Sequence, residues 1–174
     1  LIGRLQLEDN GIKADDVVFA VTEGGETSAV IGTARRGAEV NDNEPDKTWF
    51  VYNNPDAVLL PFERSRTVIE HPGITKINLA TGPQSITGST RMQATTTSLY
   101  ALGVVMEDAL RSLLSPLLGA EEMRELGFVE GADIASRLHD FAGLQRTVAA
   151  TAPVVAAWTD AEAGAYTRDR HATY

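Results

Sequence analysis

Three short apolar runs, each followed by a stretch with helical periodicity, constrain this chain more than any other feature. Val17-Val18-Phe19-Ala20-Val21 follows the turn-like Ala14-Asp15-Asp16 and precedes Gly24-Gly25, the pattern of a strand buried on both faces. Thr48-Trp49-Phe50-Val51-Tyr52 reads as a second strand after the acidic loop Asn41-Asp42-Asn43-Glu44-Pro45-Asp46. Thr75-Lys76-Ile77-Asn78-Leu79-Ala80 is a third by alternation. Between the first two, Glu26 to about Glu39 places Val30, Ile31 and Ala34 on one helical face with Arg35 and Arg36 off it. Between the second and third, a helical stretch opening at Asn53-Asn54-Pro55-Asp56 is interrupted by Pro61, resumes over Phe62 to Ile69, and stops at His71-Pro72-Gly73. A long helix is expected from Gly88 to about Leu114, with Met92, Leu99, Leu102, Met106, Ala109, Leu110 and Leu113 at helical spacing. Strands alternating with helices specify a parallel α/β sheet.

Three parallel strands are few, because strands buried on both faces need neighbours on each side, so at least one further strand is expected, upstream or in another chain. The chain starts at Leu1 and enters a strand signal almost at once, which suggests a piece of something longer. From Gly119 onward the sequence is alanine-rich and helical, over Glu121 to Leu126, Asp133 to Ala150 and Pro153 to Tyr166. There is no internal repeat and no low-complexity tract.

Composition removes several classes of function. The 174 residues are 43% hydrophobic and 6% aromatic, enough for one good core. A net charge of −9 and an isoelectric point near 4.8 argue against a nucleic-acid partner, which needs a basic surface. With no cysteine, disulfides, thiolate metal sites and cysteine nucleophiles are excluded. No apolar run approaches the roughly 20 residues of a membrane span, and no secretory leader pattern opens the chain, so no membrane role and a cytoplasmic location are the expectation. His71, His139 and His171 lack metal-ligand spacing, and neither a metal nor a cofactor is expected.

In an open parallel sheet, ligands bind beyond the carboxyl ends of the strands, where loops lead into helices. Two loops there carry suitable chemistry. The first is Thr22-Glu23-Gly24-Gly25-Glu26-Thr27-Ser28, whose paired glycines allow close backbone approach and whose Thr27 and Ser28 can cap a helix and donate to a ligand. A tight turn with a helix cap would explain this loop equally well. The second is Thr81-Gly82-Pro83-Gln84-Ser85-Ile86-Thr87-Gly88-Ser89-Thr90-Arg91, with five hydroxyls in eleven residues, more than one cap can use. At a helix start, unpaired N–H groups and the positive end of the helix dipole favour a phosphate or carboxylate. Ser89 and Thr90 add donors there, and Arg91 adds charge.

The run Gly82-Pro83-Gln84-Ser85-Ile86-Thr87-Gly88-Ser89-Thr90-Arg91-Met92 resembles the Gly-Pro-x-x-x-Thr-Gly-Ser-Thr-Arg signature of the sugar isomerase (SIS) domains in N-acetylmuramic acid 6-phosphate etherases and glucokinase regulatory proteins. Asp15-Asp16-Val17-Val18, the glycine loop leading to Thr27, Val30-Ile31-Gly32 and Asn54-Pro55 fall in the family's order, so that the resemblance covers roughly Ile12 to Leu114. It is nearest to the longer branch with two SIS domains. The resemblance implies a flavodoxin-like, three-layer αβα fold that holds a phosphorylated sugar or amino sugar with serine and threonine side chains and loop amides. Residues 1–118 would be the SIS domain, lacking its N-terminal strand and loop. Residues 119–174 would be a helical extension, with Ala163 to Tyr174 leading toward a second SIS domain.

The implied substrate-binding set is Gly24, Gly25, Thr27, Ser28, Thr87, Gly88, Ser89, Thr90 and Arg91. The chain also departs from the family. Where the etherase pattern has Ser-Gly-Arg-Thr, this chain has Gly24-Gly25-Glu26-Thr27, so a serine is lost and a carboxylate replaces a cation. Glu23 and Glu26 would repel a phosphate dianion unless they accept from sugar hydroxyls. The family's first phosphate loop and the acids assigned to etherase chemistry lie upstream of this sequence.

Glu23 is the candidate catalytic residue, as a general base whose burial near a strand end would raise its pKa, although such a glutamate more often caps a turn or accepts from hydroxyls. Arg64, Arg66 and Lys76 read as solvated charges, and Trp49 and Trp158 as core or interface residues. Two functions follow. The favoured one is a sugar-phosphate-binding sensor or regulatory module of carbohydrate metabolism, with a regulated protein partner. The alternative is an enzyme on an amino-sugar phosphate, either an etherase (a lyase) or a sugar-phosphate isomerase. Homo-oligomerisation, most simply a homodimer, is expected from the small strand count and the long apolar helix.

Overall fold

The computed structural model describes residues 1–128, 131 and 133–172, in two compact units, Leu1–Gly103 and Val104–Tyr174. The first unit holds α1 (Ile2–Asp9), β1 (Val18–Val21), α2 (Ser28–Val40), β2 (Thr48–Tyr52), α3 (Asp56–Leu59), α4 (Glu63–Ile69) and β3 (Thr75–Asn78). It also holds the start of α5 (Gln93–Leu114). The strands form a parallel sheet in the order β1-β2-β3, with Val18 opposite Thr48 and Trp49 opposite Thr75. Helices flank the sheet on both sides, a mixed α/β architecture compatible with a flavodoxin-like fold.

Because spatial order follows chain order, both crossovers run in the same direction. Right-handed connections then put α2 and α4 on one face of the sheet, where they pack against each other. That face carries Val18, Ala20, Thr48, Phe50 and Tyr52, the inward positions of a period-two alternation. Ile31, Ala34 and Ala38 of α2 cover it, together with Leu59, Val68, Ile69 and Ile74. Small residues on α2 let the helix lie close to the strands, and Phe50, Tyr52 and Leu59 are fully enclosed. Burying each such side chain contributes about 1.5–3 kcal/mol. On the opposite face Phe19 stacks on Trp49, ring centroids 6.0 Å apart, and Val51 is fully buried. Asn53 continues the alternation from Val51, and its bonds to Ala94 and Ser98 bring the first turns of α5 to this second side.

The order of elements matches the pattern in the sequence. β1, however, is buried on one face alone, with Phe19 and Val21 exposed on the other, so its apolar run is not that of a strand buried on both faces. Two elements also differ. The strand signal expected almost at once is preceded by a helix, α1, whose Gly3 packs on α2 so closely that a β-carbon there would fall 1.8 Å from the Ala29 carbonyl oxygen. Arg4 and Arg36 each pair with both Glu8 and Glu39 at 3.0–3.3 Å, a ring of partly exposed charges joining the two helices. The second difference is at α5, which begins at Gln93 rather than Gly88. Gly88 stands at φ +81°, outside helical geometry, so the helix cannot include it.

The second unit holds the rest of α5, α6 (Ala120–Glu125), α7 (Ile134–Ala150) and α8 (Ala152–Tyr166). α7 opens on a reciprocal cap, in which the Ser136 N–H donates to the Asp133 carboxylate at 2.7 Å and the Asp133 N–H to the Ser136 hydroxyl at 3.1 Å. Hydrogen bonding from the Ser136 N–H first, and then from its hydroxyl, holds the Asp133 carboxyl below the usual carboxylate range. Arg137 ties α7 to α5 through Glu107 at 2.6 Å. Neither α7 nor α8 has a buried residue. The expected segments 119–174 and Ala163 to Tyr174 extend onto Val129, Glu130, Ala132, Thr173 and Tyr174, which lie outside the described residues.

One core position is imperfect. Thr48 is fully buried beside Gly37 of α2, and its hydroxyl has no hydrogen-bond partner. Replacing it by the isosteric valine removes an unsatisfied polar group, and Thr48→Val is expected to stabilise the fold by about 1 kcal/mol. Urea denaturation followed by far-UV circular dichroism measures this, and a loss of stability would show that the hydroxyl is satisfied in solution.

Candidate functional site

The parallel sheet brings its three carboxyl ends to one edge, and both loops singled out in the sequence lie there. The first loop is held by neighbours on its outer side. The Asn54 carboxamide donates to the Gly24 carbonyl at 3.0 Å, and the buried Ser65 hydroxyl of α4 donates to the Gly25 carbonyl at 2.9 Å. Gly25 sits at φ +76°, and a β-carbon there would lie 2.5 Å from the Leu59 side chain. Glycine is therefore required twice over at this turn, by backbone conformation and by space.

Thr27 precedes α2 in extended conformation, and its hydroxyl shares a 2.9 Å hydrogen bond with the buried Thr22 hydroxyl instead of capping the helix. The first intrahelical bond runs from the Ile31 N–H to the Thr27 carbonyl. The amides of Ser28, Ala29 and Val30 thus open the helix without a side-chain cap. Ser28 and Thr27 are both exposed. An uncapped, solvent-facing helix start is an environment that favours an anion.

The two loop carboxylates have different surroundings. Glu26 pairs with Arg64 of α4 at 3.2 Å, so this carboxylate carries a guanidinium of its own. Arg64 is therefore not simply a solvated charge. Glu23 is half-buried, and the Thr95 hydroxyl lies 3.0 Å from its Oε1 and 3.2 Å from the Thr90 carbonyl. Thr95 thereby brings the acid of the first loop beside the hydroxyl-rich second loop. Thr95 carries little signal in the sequence, being one of three consecutive threonines near the start of a helix.

The second loop is organised by one glutamine. The Gln93 side chain accepts from the Ser85 N–H at 3.3 Å and the Ser85 hydroxyl at 3.1 Å, and donates to the Pro83 carbonyl at 2.6 Å. With Gly82 at φ +75° and Gly88 at φ +81°, the chain turns twice between β3 and α5. Thr87 and Gly88 are exposed, Ser89 and Thr90 half-buried, and the Ser89 N–H closes a turn onto the Ile86 carbonyl at 3.0 Å. Since α5 starts at Gln93, Ser89, Thr90 and Arg91 stand in turns ahead of the helix rather than at its first amides. The exposed Arg91 has no ion-pair partner among the described residues, which leaves its charge available.

A polar cluster backs the site. The buried Tyr52 phenol donates to Asp56 at 2.6 Å, and the Asn78 carboxamide donates to the same oxygen at 2.8 Å and to the Asn54 carbonyl at 3.1 Å. Burial, reinforced by the Asp56 carboxylate, pushes the Tyr52 phenol well above its usual range, so it stays protonated. His71 lies away from these loops in the turn before β3, where its Nδ1 accepts from the Gly73 N–H. Burial, with Arg35 and Lys76 nearby, lowers its pKa. Among the described residues no group of three or more His, Asp or Glu could hold a metal ion, and no helix is long and apolar enough to cross a membrane.

No family model matches the chain, and no solved structure matches it significantly. Over 117 residues it is 34% identical to N-acetylmuramic acid 6-phosphate etherase of Deinococcus radiodurans, covering 67% of this chain and 33% of that protein. Over 103 residues it is 31% identical to N-acetylmuramic acid 6-phosphate etherase of Petrotoga mobilis, covering 59% of this chain and 30% of the relative. The matches thus extend over about a third of the length of these relatives.

Gly25→Ala is expected to destabilise the first unit by about 2 kcal/mol, from the left-handed backbone together with the clash against Leu59. The midpoint of chemical denaturation reports it, and a wild-type midpoint would mean that the turn relaxes to another conformation.

Proposed function

We propose that this chain is a sugar-phosphate-binding unit of the SIS type, with residues 1–118 as the binding domain and 119–174 as a helical extension. The observation that carries this reading is the arrangement around Thr95. A hydroxyl-rich loop, whose Arg91 has no ion-pair partner among the described residues, is positioned beside the half-buried carboxylate of Glu23, at the strand ends where an open parallel sheet takes its ligands. Hydroxyls, loop amides and a guanidinium suit a phosphate, and a carboxylate suits sugar hydroxyls. In this reading Thr87, Gly88, Ser89, Thr90 and Arg91 hold the phosphate. Gly24, Gly25, Thr27 and Ser28 offer backbone and hydroxyl donors from the facing loop, and Glu23 accepts from the sugar. Glu26, neutralised by Arg64, does not oppose the anion.

The role assigned is binding, as a sensor or regulatory module of carbohydrate metabolism acting as a homodimer with a regulated protein partner. A second reading is favoured by the names of both relatives. It makes the chain part of an N-acetylmuramic acid 6-phosphate etherase, with Glu23 as the base that removes a proton next to a carbonyl. Calorimetry against fructose 6-phosphate, glucosamine 6-phosphate and N-acetylmuramic acid 6-phosphate, with product analysis, separates them. Binding without turnover supports the module, and lactate released from the muramic acid derivative supports the etherase.

The double variant Ser89→Ala/Thr90→Ala is expected to weaken sugar-phosphate binding by about 2–4 kcal/mol, from the loss of two hydrogen bonds to a charged group, with the fold unchanged. Wild-type affinity in a folded double variant would remove these residues from the site.

A further inference from the structure

Three segments from different parts of the first unit meet on one buried residue. Asn53, 4% exposed, directly follows β2. Its backbone N–H donates to the Glu23 carbonyl at 3.0 Å. Its carboxamide nitrogen donates to the Leu79 carbonyl at 3.0 Å and to the Ala94 carbonyl at 3.4 Å, and its carboxamide oxygen accepts from the Ser98 hydroxyl at 2.9 Å. Ser98 is itself 5% exposed. Ala94 and Ser98 are four residues apart on α5 and so share one helical face, the face that meets Asn53. Leu79 and Ala94 bracket the hydroxyl-rich loop: one marks where it leaves the sheet, the other where it enters the helix.

We propose that Asn53 is the positioning residue of the site. It fixes the separation between Glu23 and the loop from Leu79 to Ala94, so that a ligand gripped by the loop meets the carboxylate at a set distance. The Glu23–Thr95 contact lies one residue from the Ala94 carbonyl that Asn53 holds, and a shift of α5 along the sheet would break both together. The side-chain type is specific to the task. Two carbonyl acceptors and one hydroxyl donor require an amide. Aspartate is nearly isosteric, but would set a carboxylate against two carbonyl oxygens in a buried place. The ligand half of this proposal rests on the sugar-phosphate reading above, and the positional half does not.

The test uses the full chain in three forms: wild type, Asn53→Asp and Ser98→Ala. The last removes a single hydroxyl and decides the matter should the first fail to fold. Hydrogen exchange is followed without ligand, and calorimetry measures Kd for glucosamine 6-phosphate. Ser98→Ala is expected to speed exchange in residues 81–95 about tenfold, leaving the amides of β1, β2 and β3 at wild-type rates. It is also expected to raise Kd about fivefold, because a misplaced binding group costs affinity, with a modest fall in the denaturation midpoint as the buried Asn53 carboxamide oxygen loses its donor. Asn53→Asp should do more of both. Wild-type loop exchange in Ser98→Ala overturns the proposal, as does a rise spread evenly over the sheet, which would mark a purely structural tie. Should the wild type bind no sugar phosphate, the functional reading falls, and the exchange pattern alone decides the role of Asn53.

Discussion

Parallel pairing of β1, β2 and β3 is the constraint on which the rest of the first unit depends. Parallel strands cannot be joined by tight turns, so each connection must cross back over the sheet, and each strand must end on the same edge. That edge gathers three loops whose backbones have no ladder to satisfy them. Side chains therefore supplement the few backbone bonds these loops make, such as that from the Asn53 N–H to the Glu23 carbonyl. Asn54 and Ser65 serve the first loop, Gln93 the third, and Asn53 and Asn78 link them to the strand between. The polar character of the edge is thus a consequence of topology before it is an adaptation to any ligand.

Electrostatics at this edge is local rather than global. A chain of net charge −9 would repel an anion if its charge were smeared evenly. Instead the Glu26 carboxylate is answered by Arg64, while Arg91 has no described partner. The Glu26–Arg64 pair is exposed and adds little to stability. Its effect is on the field at the loop, where one negative charge is answered at 3.2 Å.

The sequence carried the sheet and its crossovers clearly, because apolar runs such as Val17–Val21 and Thr48–Tyr52 have no other stable use in a chain of this composition. It carried the two loops as candidates through their glycines and hydroxyls. What it did not carry depends on contacts distant along the chain. Helix α1 is stabilised by packing Gly3 on α2 and by a ring of charges, neither of which leaves a strong periodic signal in eight residues. The start of α5 is not legible from apolar spacing, because the conformation of Gly88 and the reach of Gln93 keep the preceding stretch non-helical. Arg64 and Asn53 gain their roles only when residues 38 and 41 positions away come to meet them.

The two tryptophans fall one in each unit. Trp49 is half-buried on the sheet, stacked on Phe19, with its indole N–H bound to the Asp46 carbonyl at 3.1 Å. Trp158 on α8 is 71% exposed. The molecule thus has two optical probes in contrasting environments, one shielded and one wet. Emission from the indole on the sheet lies to the blue and resists a soluble quencher, while emission from the helical unit lies to the red and is readily quenched. Intrinsic fluorescence can therefore follow the sheet and the helices as separate objects, with no label added to either.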